Sequence, residues 1–127
     1  MKTTIKAKKQ QKATEQDLVE LVVDLIQDRK GNDIVSLDLR NITDAITDFF
    51  IICHCESTTQ TRAVTDHVEE EMKKRYGVKA LHVEGRSLGE WCLLDFGEIV
   101  VHVFQRERRE FYQLEELWHD ATIKKYK

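Results

Sequence analysis

Apolar and polar residues alternate most regularly in residues 85–105, where two apolar segments flank Asp95-Phe96-Gly97-Glu98. A period of two is typical of β-strands, and the polar, glycine-containing segment between them predicts the turn of a β-hairpin. One set of residues in the second segment is purely apolar and is expected to face the core: Ile99, Val101 and Val103. The residues between them mix acidic, imidazole and aromatic groups, which makes the hairpin the first place to look for function: Glu98, Val100, His102 and Phe104.

Three helices are predicted by apolar residues at helical spacing. The first begins at Thr14, with Asp17 as its capping partner, and ends near the Gly31 stop. The second begins at Ser57, with Gln60 as its capping partner, and ends at Gly77. A terminal helix is predicted by a single apolar face: Phe111, Leu114, Leu117 and Trp118.

Three further segments are predicted as strands. Residues 33–40 alternate as in a half-exposed strand toward the edge of a sheet, whereas the continuous apolar run at 49–53 predicts a central strand buried on both faces. Residues 79–84 form the third. The order αββαβββα predicts an α/β (α+β) fold with a mixed five-stranded sheet. A parallel strand pair is expected in it, joined by a right-handed crossover.

The net charge of −3 is unevenly distributed along the 127 residues. The first 13 residues contain no acid and five lysines, which leaves a charge of −8 on the rest: Lys2, Lys6, Lys8, Lys9 and Lys12. We therefore predict a lysine-rich flexible arm over residues 1–13 and a single domain over 14–127. The acidic domain suits a basic protein partner better than nucleic acid, while the arm is either a solvated tail or a contact with RNA phosphates.

The location of the protein is predicted from two absent signals. No apolar run approaches the roughly 18 residues of a membrane span, and no apolar region follows the basic N-terminus as it does in a secretory signal. These absences predict a cytosolic or organelle-matrix protein without membrane contact, with the cytoplasm as our choice. The three cysteines are expected to be reduced thiols there.

Candidate residues for metal binding and catalysis are few. Cys53-His54-Cys55 lies on a predicted strand, where the two sulfurs share one face and His54 points to the other, so no metal site is predicted. Ser57 with the following threonines would suit either a helix cap or a phosphate, and capping is favoured because the helix amides need partners. Asp95-Phe96-Gly97 lacks the other elements of a kinase. We predict no catalytic residues and no cofactor.

Three segments of the chain resemble the ribosomal silencing factor family, the Iojap-related proteins: TDFF at 47–50, GEWCLLDFGEIVVHVFQ at 89–105 and FYQLEELW at 111–118. The resemblance extends from about Leu18 to Trp118. It implies a nucleotidyltransferase-like fold without the catalytic residues. It also implies a protein that binds the large ribosomal subunit through its ribosomal protein fourteen, blocks joining to the small subunit and represses translation under nutrient limitation.

The resemblance places four hairpin residues at the contact with the ribosomal protein: Trp91, Leu93, Asp95 and Phe96. Tryptophan is a frequent interface hot spot, and a carboxylate suits a basic partner. Whether the tryptophan faces the partner or the core depends on the hairpin register. A two-residue Phe96-Gly97 turn pairs Leu94 with Ile99 and turns Trp91 away from the apolar face, whereas a three-residue turn reverses this. The residues leave both registers open, and the resemblance favours exposure.

One departure from the family concerns the start of the second helix, where Cys55-Glu56-Ser57 replaces the usual Gly-Thr-Ser. The carboxylate of Glu56 would repel phosphate, which weakens the alternative of a small nucleotidyltransferase-like enzyme or a nucleotide- or RNA-binding protein. Apolar residues on both hairpin faces would also suit a self-interface, so a homodimer stays open.

Overall fold

The computed structural model describes residues 14–127, so the segment predicted as a lysine-rich arm lies outside the described residues. The elements are α1 (Glu15–Asp28), β1 (Asn32–Asp38), β2 (Phe49–Cys55), α2 (Thr58–Tyr76), β3 (His82–Glu84), β4 (Trp91–Asp95), β5 (Ile99–Gln105), α3 (Arg106–Tyr112), α4 (Leu114–Leu117) and β6 (Thr122–Lys125). In this part of the chain no helix is both long and apolar enough to cross a membrane.

Six strands form one mixed sheet in the order β3-β4-β5-β2-β1-β6. The neighbours β2 and β5 run parallel, so the sheet contains a parallel pair as predicted, although β3, the first strand after α2, does not neighbour β2; the other neighbouring strands run antiparallel. Strand β2 lies inside the sheet and is buried along its whole length, as its continuous apolar run predicted. A strand covered on both faces has no polar side to alternate with the apolar one.

The first face of the sheet packs against α1 and α2 and holds the larger core, which includes Ile99, Val101 and Val103 as predicted. The predicted capping box at the start of α1 is formed. The Asp17 amide donates to Thr14 Oγ1 at 3.1 Å, and the Thr14 amide donates to the Asp17 carboxylate at 3.0 Å. These bonds satisfy two amides that the helix itself leaves without partners.

The second face of the sheet has a separate and lighter cover. Phe50, Val100 and Phe104 pack there under Leu114 and Trp118 of the C-terminal region. The loop before β2 covers the same face through Ile42 and Ala45. Val100, His102 and Phe104 of the mixed set are therefore buried, because segments outside the hairpin cover this face, whereas Glu98 is exposed in the turn.

The prediction of one continuous terminal helix is wrong. Gln113 has a left-handed backbone with φ 48°, which ends α3 and starts the short α4 in a new direction. Leu114 and Trp118 consequently pack on the second face, while Phe111 and Leu117 are exposed.

The sheet has six strands instead of the predicted five, and β1 is more buried than the half-exposed strand that was predicted. The additional strand β6 pairs with β1, so β1 is not at the edge of the sheet. The side chain of Ser36 in β1 is buried and forms a 3.1 Å hydrogen bond with the hydroxyl of Tyr126. All four residues of β6 are exposed, and no apolar alternation marked the segment as a strand.

Candidate functional site

The hairpin predicted from the alternation is present, and its register is defined by the pairs Trp91–Phe104 and Leu94–Val101. The Phe96 amide donates to the Ile99 carbonyl at 2.9 Å, so only Gly97 and Glu98 remain in the turn. A Phe96-Gly97 turn would pair Leu94 with Ile99, whereas in the structure Leu94 pairs with Val101, two residues further along the strand. A shift of two preserves the faces, so Trp91 lies opposite the apolar set.

The turn itself is stabilised by a side chain. Gly97 has a φ of 93°, a conformation that glycine adopts without steric cost. Its amide donates to Asp95 Oδ1 at 2.8 Å. The carboxylate of Asp95 therefore holds the turn, while its own residue remains partly exposed.

Trp91 is the central residue of the second face of the hairpin. Its indole N–H donates to Nδ1 of His102 at 3.1 Å, and its ring stacks on Phe104 with 4.8 Å between centroids. The ring of Tyr112 also contacts it, with 4.7 Å between centroids. Trp91 is only partly buried, so the structure presents an aromatic surface whose orientation is fixed by a hydrogen bond and two ring contacts.

His102 fixes that orientation from beneath. Its Nδ1 accepts the tryptophan hydrogen bond, so a neutral ring carries its proton on Nε2, which has no hydrogen-bond partner among residues 14–127. Burial lowers the pKa of His102 to about 4. The ring also contacts Phe50 edge to face at 4.6 Å. His102 is therefore a neutral, enclosed support for Trp91 at physiological pH.

The structure does not bring the four residues of the expected contact together on one face. Trp91 and Leu93 share the second face and are partly buried, Asp95 lies at the turn, and Phe96 packs into the first-face core with 9% exposure. Four residue steps separate Trp91 from Asp95, a distance of about 13 Å along the strand.

Sequence reasoning did not predict which side chains contact Trp91. The contacts from His102 and Phe104 follow directly from the register, which the turn residues did not define. Tyr112 is the last residue of α3 and contacts Trp91 from 21 positions away in the sequence, a contact that helical periodicity does not report. The one available signal for Tyr112 was that it is the second residue of the FYQLEELW segment, which resembles the family.

The predicted geometry of Cys53-His54-Cys55 is confirmed. Both thiols are buried on the first face, and burial raises the pKa of Cys55 to about 11. His54 points to the opposite side, where its Nδ1 lies 3.0 Å from a guanidinium nitrogen of Arg109. The three side chains do not converge on a common point.

The start of α2 confirms the capping role favoured for Ser57. The Gln60 amide donates to its hydroxyl at 3.1 Å, whereas the Gln60 side chain donates to the Lys30 carbonyl at 3.2 Å instead of completing the box. Glu56 forms an ion pair with Arg106. Ser57, Gln60 and Glu56 at this helix start thus each have a structural partner.

A cavity of about 630 Å³ lies beyond the carboxyl ends of β2 and β5, which is where α/β sheets commonly bind ligands. Its cationic side chains include Arg106 and Arg109. Arg109 pairs with Glu115 at 2.8 Å and donates to the Asp33 carbonyl at 2.8 Å, and Arg106 pairs with Glu56. Both guanidinium groups are already engaged within the chain, which does not favour a phosphate ligand.

Comparison with known proteins relates the chain to ribosomal silencing factors. Residues 11–127 match a protein-family model described as "Ribosomal silencing factor during starvation". The ribosomal silencing factor RsfS of Halalkalibacterium halodurans is 38% identical over 106 residues, covering 84% of this chain and 89% of that protein. The factor of the same name from Haemophilus influenzae is 41% identical over 101 residues, covering 80% and 97%.

Similarity extends to a solved structure and to an organelle protein. A crystal structure of a Chromobacterium violaceum protein superposes with a TM-score of 0.80 at 33% identity, covering 84% of this chain and 88% of that chain. A mouse protein named "Mitochondrial assembly of ribosomal large subunit protein 1" is 29% identical over 103 residues, which are 79% of this chain and 44% of that protein.

Proposed function

The chain belongs to the ribosomal silencing factor family, and we propose that it binds the large ribosomal subunit through ribosomal protein fourteen and thereby blocks joining of the small subunit. In this proposal it represses translation under nutrient limitation and acts in the cytoplasm, by binding and without catalysis. The names of its relatives describe regulators of the ribosome, and that of the mouse relative refers to the large subunit.

The observation that carries this proposal is the partly exposed indole of Trp91, held by the 3.1 Å hydrogen bond to His102. A binding residue that is already oriented loses little conformational entropy when a partner docks. Leu93 lies next to it on the same face and adds apolar surface. Tryptophan is also enriched among the residues that dominate interface energies.

Asp95 and Phe96 complete the proposed contact in different ways. The carboxylate of Asp95 is partly exposed at the turn and would face a basic side chain of the ribosomal protein. Phe96 is buried in the first-face core, so we propose that it supports the contact by anchoring the turn. Truncating it would act through the position of Asp95.

Binding to purified large subunits tests the proposal. We expect Trp91→Ala to bind at least about tenfold more weakly than the wild type in co-sedimentation, as for a hot-spot truncation. Trp118→Ala is the matched control, because Trp118 packs on the same sheet face against Phe50 and belongs to no proposed contact. Equal binding by Trp91→Ala and the wild type would remove Trp91 from the interface.

Subunit joining provides a second readout. Addition of the wild-type protein to large subunits before small subunits should reduce the 70S peak in a sucrose gradient, and Trp91→Ala should restore it. If the wild type binds large subunits and leaves the 70S peak unchanged, the silencing part of the proposal is wrong.

A further inference from the structure

A groove of about 370 Å³ lies at the turn end of the hairpin, about 13 Å along β4 from Trp91. We call it the turn groove. It is lined by the turn, the loop before β2 and the segment before β3. Two large apolar side chains on it face solvent, Ile46 with 94% and Leu81 with 65% of its surface exposed.

The walls of the turn groove are held by hydrogen bonds. The Thr47 hydroxyl donates to the Gly97 carbonyl at 2.9 Å, and the Asp48 amide donates to the Glu98 carbonyl at 3.0 Å. The Leu81 amide donates to the Asp95 carbonyl at 2.7 Å. The exposed side chains of Ile46 and Leu81 therefore stand on connected backbone, and little ordering is needed to bind a partner there.

The rim of the groove is acidic. Asp48 and Glu98 both line it, and Glu15 at the start of α1 lies close to them. A hydrogen bond with Asp48, partial burial and the repulsion of Asp48 and Glu98 raise the pKa of Glu15 to about 7. The guanidinium of Arg40 is the nearby cation, and it already pairs with Asp38 at 2.7 Å. Negative charge at this rim exceeds the positive charge beside it.

We propose that the turn groove docks a lysine- or arginine-containing protein segment of the large ribosomal subunit, with an apolar side chain of that segment between Ile46 and Leu81. The carboxylates of Asp48 and Glu98 would face the basic residues. Charge complementarity selects this occupant, because the rim repels both RNA phosphates and acidic peptides. The inference rests on the proposed function and adds a second contact to it.

Hydroxyl-radical footprinting of the full chain, free and bound to purified large subunits, tests the docking. The oxidation rates of Ile46 and Leu81 should fall at least about fivefold in the complex. Leu88 is the internal control, since it is 70% exposed and lies outside the groove, and its rate should not change. Trp91 reports the proposed function separately in the same experiment.

The outcomes separate the two proposals. Protection of Trp91 without protection of Ile46 and Leu81 would overturn the docking and leave the proposed function standing. If no residue is protected because the chain does not bind large subunits, both proposals fail together. Protection of Ile46 and Leu81 that appears in the free chain as its concentration rises identifies a second copy as the occupant and also overturns the proposal.

Variants at the surface of the groove complete the test. The double variant Ile46→Ser, Leu81→Ser should bind large subunits about tenfold more weakly, while Leu88→Ser should bind like the wild type. Asp48→Asn with Glu98→Gln should flatten the salt dependence of the association rate. Wild-type affinity of the Ile46→Ser, Leu81→Ser variant would contradict the proposal. The chain's own lysine-rich segment is the remaining candidate occupant. If Ile46 and Leu81 are oxidised slowly in the free chain, and faster in the triple variant Lys8→Gln, Lys9→Gln, Lys12→Gln, that segment occupies the groove and the proposal is wrong.

Discussion

Protonation of His102 is expected to destabilise the fold. Burial lowers the pKa of His102 from 6.5 to about 4, so between these values the unfolded chain binds a proton that the folded chain does not. The contribution of His102 to the unfolding free energy is therefore fully present above pH 6.5 and is lost as the pH falls toward 4. A pKa that is 6.5 in the unfolded chain and about 4 in the folded chain corresponds to about 3 kcal/mol of unfolding free energy. Of this, about 2 kcal/mol is lost between pH 7 and pH 4.5.

Other groups titrate in the same range, so the assay compares a variant with the wild type. Burial and the charge of Arg109 lower the pKa of His54, which acts in the same direction, whereas the raised pKa of Glu15 acts oppositely. Urea unfolding at pH 7 and pH 4.5 gives the loss of unfolding free energy for each protein. We expect the loss for His102→Phe to be smaller than that of the wild type by about 2 kcal/mol.

The His102→Phe variant retains an aromatic ring beside Phe50 but loses the acceptor for the Trp91 indole N–H. Its unfolding free energy at pH 7 should therefore fall by about 1 kcal/mol. His119→Gln is the control for the replacement of a histidine, because His119 is exposed and its replacement should change the unfolding free energy at pH 7 only slightly. Equal pH dependence for His102→Phe and the wild type would refute the assignment of His102 as a buried neutral ring.

Three further predictions concern the start of α1, the loop before the hairpin and the lysine-rich segment. Thr14→Ala removes the capping box and should lower the unfolding free energy by about 1 kcal/mol in urea denaturation, whereas Gln16→Ala should have little effect. Gly85→Ala should lower it by roughly 3 kcal/mol, because φ is 86° and a Cβ would lie 1.9 Å from the Trp91 carbonyl oxygen; unchanged stability would contradict this geometry. Glutamine at all five lysines of residues 1–13 should weaken large-subunit binding only modestly, so loss of binding would make that segment the principal contact.

The residues that face α1 and α2 were predictable because their signal is local. Val101 and Val103 alternate with different residues on one strand, and a period of two assigns them to one face without any knowledge of the neighbours. The cover of the opposite face was not predictable in the same way. Trp118 packs on Phe50 from 68 positions away in the sequence, at 5.9 Å between ring centroids, and no periodicity reports such a contact.

The resemblance supplied the proposed residues of the candidate site, but the sequence did not define their geometry. The resemblance selected Trp91 and Leu93, and the structure shows them on one partly covered face. The register was ambiguous because Phe96 was counted as a turn residue, whereas its amide pairs with Ile99 and its ring enters the core. The bond from Gly97 to the Asp95 carboxylate stabilises the Gly97-Glu98 turn. Side-chain bonds of this kind are not encoded in an alternating pattern.

The unequal covering of the two sheet faces explains how one hairpin could stabilise the fold and also carry the proposed contact. Cys92 and Leu94 of β4 are fully buried under the long helices, so this side of the strand anchors the hairpin. Trp91 and Leu93 alternate with them and receive only part of their cover from the short C-terminal helices. Substitutions on the buried side should therefore reduce stability and binding together, whereas those on the other side should affect binding more than stability. This difference distinguishes a binding surface from an incompletely packed core.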